Sequence, residues 1–330
     1  MYGKLSDEFF KKVDDIQAQT DGFPKIPINK VGVRNIQIPF TLQIKGSKQL
    51  FHTVARVSSY CDLGKEKKGI NMSRISRSIN EFVPKFGKYE EVIKAVRALK
   101  KNHNSKSAWI KIKFTYIIES SSPLTQQKSY EPVEVEMECY VDENDRIRNF
   151  ITVESTEISL CPCSKNMSLL INNLTKEEKE WFTNATIPES LRTKIMNAGF
   201  GAHNQKSIIR VTVEVNGNNT IWIEDIVEII QRNSSCQSFT TLKRGDEKYV
   251  TEVSYMGGYY DEDGNFIPSK NNNGPKFVED IGRDIANELN KWLNEQHIIL
   301  DYCIVTENQE SIHSGDISAV SIIYPGKELQ

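Results

Sequence analysis

Cysteine and histidine are scarce in this 330-residue chain, at six and five residues, and charge of neither sign prevails. With 42 basic against 44 acidic residues the net charge is -2, which leaves no overall basic field for nucleic acid or an anionic membrane surface. Long apolar runs are missing too; none approaches the roughly 20 residues that a membrane-spanning helix needs. The opening residues, MYGKLSDEFFKK, lack the basic–apolar–small order of a secretory signal. The expected compartment is the cytoplasm, where thiols stay reduced and few structural disulfides form. What remains is 38% apolar and 26% charged, a globular composition long enough for about two domains or one large one.

Two of the six cysteines stand one residue apart, in Ser159-Leu160-Cys161-Pro162-Cys163-Ser164-Lys165. Proline fixes its own φ and biases the preceding residue towards extended backbone, so the run predicts a stiff, non-helical corner presenting two thiols. Such a pair is a disulfide half, a metal ligand, a nucleophile or an accident of composition. Neighbours one residue apart sit awkwardly for a bridge to each other, and a reduced compartment disfavours it further.

Around this corner the pattern is mixed. Residues 1–30 combine charges with Gly22, Pro24 and Pro27 and read as a leader. Val33–Ile44 and Leu50–Tyr60 read as strands about a turn at Lys45–Lys48, with His52, Val54 and Arg56 on one face and Thr53, Ala55 and Val57 on the other. Ser73 is placed to cap a helix carrying Ile75, Ile79 and Phe82, and a second helix spans Tyr89–Lys101. Ser107–Glu119, Tyr130–Tyr140 and Ile147–Ser159 are further strands. Residues 166–200 read as an inserted excursion, a surface feature or subunit contact, in which Thr175 and Glu178 form a capping box.

The order then recurs: strand at Ser207–Val215, helix at Trp222–Gln231, a Gly/Asn/Asp-rich loop from Gly257 to Gly274, helix at Phe277–Gln296, and strands at Ile298–Glu307 and Ile317–Tyr324. The long helix carries Val278, Ile281, Ile285, Leu289, Trp292 and Leu293 as its apolar stripe. The expected fold is α+β, with antiparallel sheets, helices on one face and two modules per chain at 31–165 and 201–330.

The residues able to carry chemistry are Cys161, Cys163, His203, Glu247, Glu279 and His313. Taken singly each has a plain alternative. A lone histidine is commonly a hydrogen-bonded surface residue, a reading that suffices for His103 and His297. Asp246-Glu247 after Lys243-Arg244 could be a solvated turn, and Glu279-Asp280 at a helix start complements the macrodipole. Together, thiolate, imidazole and carboxylate suit a divalent transition metal rather than calcium or magnesium. A single CxC without a partner pair favours an open catalytic site over closed structural zinc.

At SLCPCSK and GAHNQKS the chain resembles the type IB family of GTP cyclohydrolase I. VGVRNIQIP, HTVARVSSYCDL, KKGINMSR, LKRGDE, FVED and ESIH are similar to the same family in the same order. The resemblance implies a tunnelling fold, a homotetramer with active sites between subunits, and conversion of GTP and water to 7,8-dihydroneopterin triphosphate and formate, the first step of tetrahydrofolate biosynthesis. It implies a manganese, zinc or iron ion on Cys161, His203, Glu247 and His313, with Cys161, Cys163 and His203 catalytic and Glu279 anchoring the purine. Lys68, Arg74, Lys206, Lys243 and Arg244 are cations available to the triphosphate. The chain departs from the pattern at Asn71 and Gly315, where the family usually has histidine. Within the fold, a nitrile reductase using NADPH is disfavoured by GAHNQ and KRGDE. An archaeal-type cyclohydrolase giving a cyclic phosphate, and a non-catalytic metal-binding protein, are the other readings.

Overall fold

Alternating side chains build most of the architecture. The structure, a computed structural model, describes residues 16–82, 89–171, 175–183, 188, 201–217 and 219–325. Its strands are β1 (Ile28–Gln43), β2 (Leu50–Leu63), β3 (Ala108–Ser121), β4 (Lys128–Val141), β5 (Ile147–Leu160), β6 (Asn204–Val215), β7 (Gly258–Tyr260), β8 (Phe266–Pro268), β9 (Ile299–Gln309) and β10 (Ser318–Ile323). Its helices are α1 (Met72–Phe82), α2 (Tyr89–His103), α3 (Pro162–Ile171), α4 (Lys176–Thr183), α5 (Ile223–Asn233), α6 (Arg244–Met256) and α7 (Val278–Asn294). The α+β class with large antiparallel sheet, expected from the sequence, is borne out.

Two compact units divide the chain, and the division runs through β3, β4 and β5. The first unit comprises Met1–Phe114 and Glu136–Asn149. Within it β1 and β2 form a long antiparallel hairpin, and β2 continues onto β3 from Arg56↔Lys113 to Cys61↔Ala108. Ala55 and Val57 are fully buried while His52, Val54 and Arg56 face solvent, as the alternation predicts. Gly32 is obligatory, because an added Cβ would lie 1.9 Å from the Ser59 carbonyl across the hairpin. Ile75 and Ile79 of α1 and Val92, Val96 and Leu99 of α2 are buried, each worth roughly 1.5–3 kcal/mol when removed from water. The cap of α1 is Asn71, whose Oδ1 accepts from the Arg74 amide at 3.2 Å, rather than the expected Ser73.

The second unit comprises Thr115–Val135 and Phe150–Gln330. Its strands follow the order β3-β4-β5-β6-β9-β10. β6 pairs with β9 from Lys206↔Gln309 to Val215↔Ile299, and β10 closes the edge. Helix α7 packs on β9 and β10, and α5 packs on α7. The apolar stripe Val278, Ile281, Ile285 and Leu289 is buried with Ile226 and Ile230 of α5 and Ile209, Val211 and Ile304 of the strands. The expected 257–274 loop contains a short hairpin, β7 on β8, with Tyr260 edge-on to Phe266. Thr175 and Glu178 form their reciprocal capping box at α4, as expected. Of the 1–30 leader, residues 1–15 lie outside the described residues, as do 172–174, 184–187 and 189–200 of the 166–200 excursion.

Candidate active site

All six candidate side chains belong to the second unit. The strand β5 runs to Leu160, and the chain turns at Cys161 directly into α3. The corner is therefore helical from Pro162 onward, which corrects the non-helical expectation. Proline breaks helices in their interior, but at the first position its missing N–H would be unpaired anyway and its φ is already helical. Cys161 caps this helix: the Ser164 amide donates to its Sγ at 3.5 Å and the Lys165 amide to its carbonyl at 3.2 Å. Cys161 is half-buried and Cys163 exposed, and neither is in a disulfide.

The GAHNQ segment is stitched to this corner twice. The Cys161 amide donates to the His203 carbonyl at 3.4 Å. Ser168 of α3 donates to the Gly201 carbonyl and accepts from the Gly201 amide at 3.0 Å. The register of β6 on β9 then sets residues 203–205 opposite the start of the ESIH turn. There His203 Nδ1 and Ser311 Oγ lie 3.1 Å apart, and the His313 amide donates to the Glu310 carbonyl at 3.4 Å. Three motifs distant in sequence thus converge at one end of β5, β6 and β9.

Helix α7 is tied to the same end. A bridge pairs Leu160 with Lys276, two residues before α7 begins. Lys276 is buried, donates to the Asn233 carbonyl at 2.9 Å and pairs with Asp284 at 2.7 Å; burial lowers its pKa against the pull of that carboxylate. Asp280 closes the first turn by accepting from the Phe277 amide at 3.0 Å. That leaves Glu279 exposed in the first turn, without a side-chain partner among the described residues.

The KRGDE motif opens α6, where a solvated turn was an alternative. Asp246 is fully buried. Its carboxylate accepts from the Leu124 and Thr125 amides, both at 2.9 Å, from Thr125 Oγ1 at 2.5 Å and from the Lys243 amide at 3.0 Å. Burial opposes the charge, but these donors outweigh it and hold the carboxyl far below the usual carboxylate range. Glu247 beside it is exposed. Lys165, following the CPC corner, donates to the Tyr255 carbonyl at 2.6 Å and lies over the Tyr255 ring; burial pushes its pKa down to about 8. The corner helix therefore meets the C-terminal end of α6. Glu247 stands at the other end, roughly 12 Å along the axis at 1.5 Å per residue.

Donor chemistry suits a divalent transition metal: Cys161 offers sulfur and His203 and His313 imidazole at the convergence, while the carboxylate of Glu247 stands apart at the start of α6. Among the described residues of the single chain, no three His, Cys, Asp or Glu side chains stand close enough to hold an ion.

Sequence reasoning passed over two buried carboxylates, Glu131 and Glu157, and the half-buried Lys165. The signal for the acids was present. Glu131 alternates in phase with Val133 and Val135, and Glu157 with Ile151 and Val153, so both lie on the inward faces of their strands.

The model of the type I GTP cyclohydrolase FolE2 family matches residues 13–319. The GTP cyclohydrolase FolE2 of Thermosipho africanus is 32% identical over 301 residues, covering 91% of this chain and 94% of that protein. That of Azoarcus sp. is 31% identical over 319 residues, covering 96% and 97%. Among solved structures, a highly active mutant of Bacillus sp. TB-90 urate oxidase aligns with a TM-score of 0.47 at 7% identity, over 90% of this chain and 99% of that one. By the extent of the family match and the identity of these relatives, the chain belongs to the type I GTP cyclohydrolase FolE2 family.

Proposed function

We propose that this chain is a metal-dependent GTP cyclohydrolase that converts GTP and water to 7,8-dihydroneopterin triphosphate and formate for folate biosynthesis. The observation that carries the reading is the convergence of Cys161, His203 and the Ser311–His313 turn at one sheet end. The relatives named GTP cyclohydrolase support it along nine tenths of the chain.

Each side chain has a task that its setting suits. The purine anchor is Glu279, an exposed carboxylate able to accept two hydrogen bonds from the amide and amino edge of guanine, a pattern adenine does not offer. His203, its Nδ1 engaged by Ser311 Oγ, presents Nε2 to a substrate proton or as a ligand. Cys163, exposed at the first turn of α3, faces substrate. Cys161, His203, Glu247 and His313 would hold a manganese, zinc or iron ion, which would supply Lewis-acid activation of water. The cations for the triphosphate fall into two groups, Lys68 and Arg74 in the first unit and Lys206, Lys243 and Arg244 in the second. Arg74 lines a cavity of about 420 Å³ with Lys67, Asn71 and His103.

The site is read as shared between copies of a homotetramer, each chain carrying two tunnelling-fold modules at 31–165 and 201–330. What supports this is that one chain's described residues do not close the metal set. A cytoplasmic location accords with the described residues, among which no helix is long and apolar enough to cross a membrane.

The deciding experiment incubates the protein with GTP and manganese, zinc or iron, measures formate, and detects the oxidised pterin by fluorescence. Formate together with a pterin triphosphate is the expected result. A cyclic phosphate product would move the chain to the archaeal-type reaction, and metal binding without formate would make it a non-catalytic member.

A further inference from the structure

Two carboxylates that no step above uses lie beneath the segment joining α5 to α6. Glu157 is 2% exposed and Glu131 6%. Glu157 Oε1 accepts from Ser155 Oγ at 2.7 Å, and its Oε2 from the Ser238 amide at 2.8 Å. Glu131 Oε1 accepts from Ser120 Oγ at 3.2 Å and from Ser129 Oγ, and its Oε2 from the Thr240 amide at 3.1 Å. Among the described residues neither acid pairs with a lysine, arginine or histidine. Two buried carboxylates without a cation hold two charges only at high cost. Burial, with the nearby Glu131 charge adding to it and the Ser155 and Ser238 donors opposing, pushes the Glu157 carboxyl up to about 7.

The segment they grip touches three parts of the candidate site: the approach to Cys161, the approach to Glu279 and the start of α6. The Ser235 amide donates to the Ile158 carbonyl at 3.0 Å, and the Leu160 amide to Ser235 Oγ at 3.2 Å, just before Cys161. The Gly274 amide donates to the Ser235 carbonyl at 3.0 Å and Asn273 Nδ2 to the Ser234 carbonyl at 2.9 Å, on the approach to Glu279. At its far end the segment becomes Lys243, the cap of α6, and so delivers Glu247. Shifting residues 234–243 would disturb all three at once.

We propose that Glu131 and Glu157 are positioning residues: a clamp of two buried acids that holds residues 234–243 through the Ser238 and Thr240 amides and loosens when Glu157 ionises. The proposal rests on the cyclohydrolase reading only for the consequence to turnover; the clamp itself stands on the hydrogen bonds. The titratable groups facing Glu157 are Glu131 from β4 and Cys236 from the segment, with Tyr249 of α6 behind Cys236. The Cys236 thiol, pushed up to about 12 by burial and then by the Glu157 charge, stays neutral throughout. Because the folded value of Glu157 is raised, the acid is protonated and the clamp intact on the acid side, and both give way as pH rises through about 7. The protonated share falls from about nine tenths at pH 6 to about one tenth at pH 8.

The test is amide hydrogen exchange over residues 236–243 without GTP, corrected for the intrinsic pH dependence of exchange, in the wild type, Glu157→Gln and Ser155→Ala. Glutamine keeps an oxygen for the Ser238 amide and carries no charge. Wild-type protection is expected to fall by up to about ninefold between pH 6 and 8, and that of Glu157→Gln to stay level. Ser155→Ala removes a donor that favours the ionised form, so its midpoint should move upward; a merely structural serine would not move it. Wild-type kcat/KM for GTP, taken relative to Glu157→Gln, should fall over the same interval. Wild-type protection that is level from pH 6 to 8, or that changes equally in Glu157→Gln, overturns the clamp. Should Glu157→Gln not fold, the direction of the Ser155→Ala midpoint decides. Absence of turnover at every pH would refute the cyclohydrolase reading while the exchange measurement still decided the clamp.

Discussion

The backbone amide of Cys161 donates to the carbonyl of His203 at 3.4 Å, so main chain, not side chains, fixes these two residues relative to each other. Cys161 Sγ, which accepts one long bond from the Ser164 amide, and His203 Nε2, the ring nitrogen not engaged by Ser311, can then serve ligands or substrate without loosening the corner. Cys161→Ala should accordingly abolish formate release and leave the fold intact. Its sulfur accepts only one long bond from the Ser164 amide, so the loss as a helix cap is about 0.5–1 kcal/mol. Glu247→Ala, at an exposed carboxylate, should abolish activity with an unchanged melting temperature. Formate release in either variant, against a matched circular dichroism spectrum, removes that residue from the mechanism.

Asp246, next to Glu247, should behave in the opposite way. Asp246→Ala leaves the Leu124, Thr125 and Lys243 amides without their acceptor and should cost roughly 2–4 kcal/mol, measured by urea denaturation. The pH dependence follows from the sign of the shift. A carboxyl depressed in the folded state stabilises fully above the unfolded value of about 4, and the benefit is lost as pH falls below it. The gap between wild type and Asp246→Asn should therefore narrow between pH 5 and pH 2. A constant gap would mean that the clamp on the 122–127 turn is not ionic.

How much of this was legible follows from the range of the interactions. The alternation in SAWIKIKFTYIIE and the stripe Val278, Ile281, Ile285 and Leu289 depend on local period alone, and the strand and helix formed where expected. α3 was hidden because Pro162 reads as a breaker unless the residue before it is known to be a cap. α6 was hidden because Gly245 lowers helix propensity, and what fixes its start is Asp246 reaching the Leu124 and Thr125 amides, partners no local pattern announces. For the site, the residue types were readable. Their grouping was not: it depends on the register of β6 with β9 and on the Leu160–Lys276 bridge.

Lys276 is the test of that bridge. Lys276→Met removes the ammonium that joins the Asn233 carbonyl to Asp284 and frees the chain leading into α7. Asp284 is about a third exposed and also accepts from Asn272, so water and that amide recover part of the loss. A cost of about 1–3 kcal/mol is expected. Because Glu279 follows three residues later, KM for GTP should rise more than kcat falls. Equal losses in both would show that the bridge positions the catalytic corner and not the purine anchor.

Glu279 itself separates recognition from chemistry. It is exposed, its neighbour Asp280 already satisfies the first turn of α7, and nothing in the fold requires its charge. Glu279→Gln should therefore leave stability unchanged within about 0.5 kcal/mol. Glutamine still accepts one hydrogen bond from guanine but turns its amide NH2 towards the second donor, so one bond is lost and a donor is left unpaired. Bonds to a charged acceptor contribute roughly 1.5–3 kcal/mol, so GTP binding should weaken by about 10- to 100-fold with kcat much less affected. Calorimetric titration with GTP checks it directly. Unchanged affinity would remove Glu279 from the purine site, and inosine triphosphate, which lacks the 2-amino group, should discriminate wild type from variant less than GTP does.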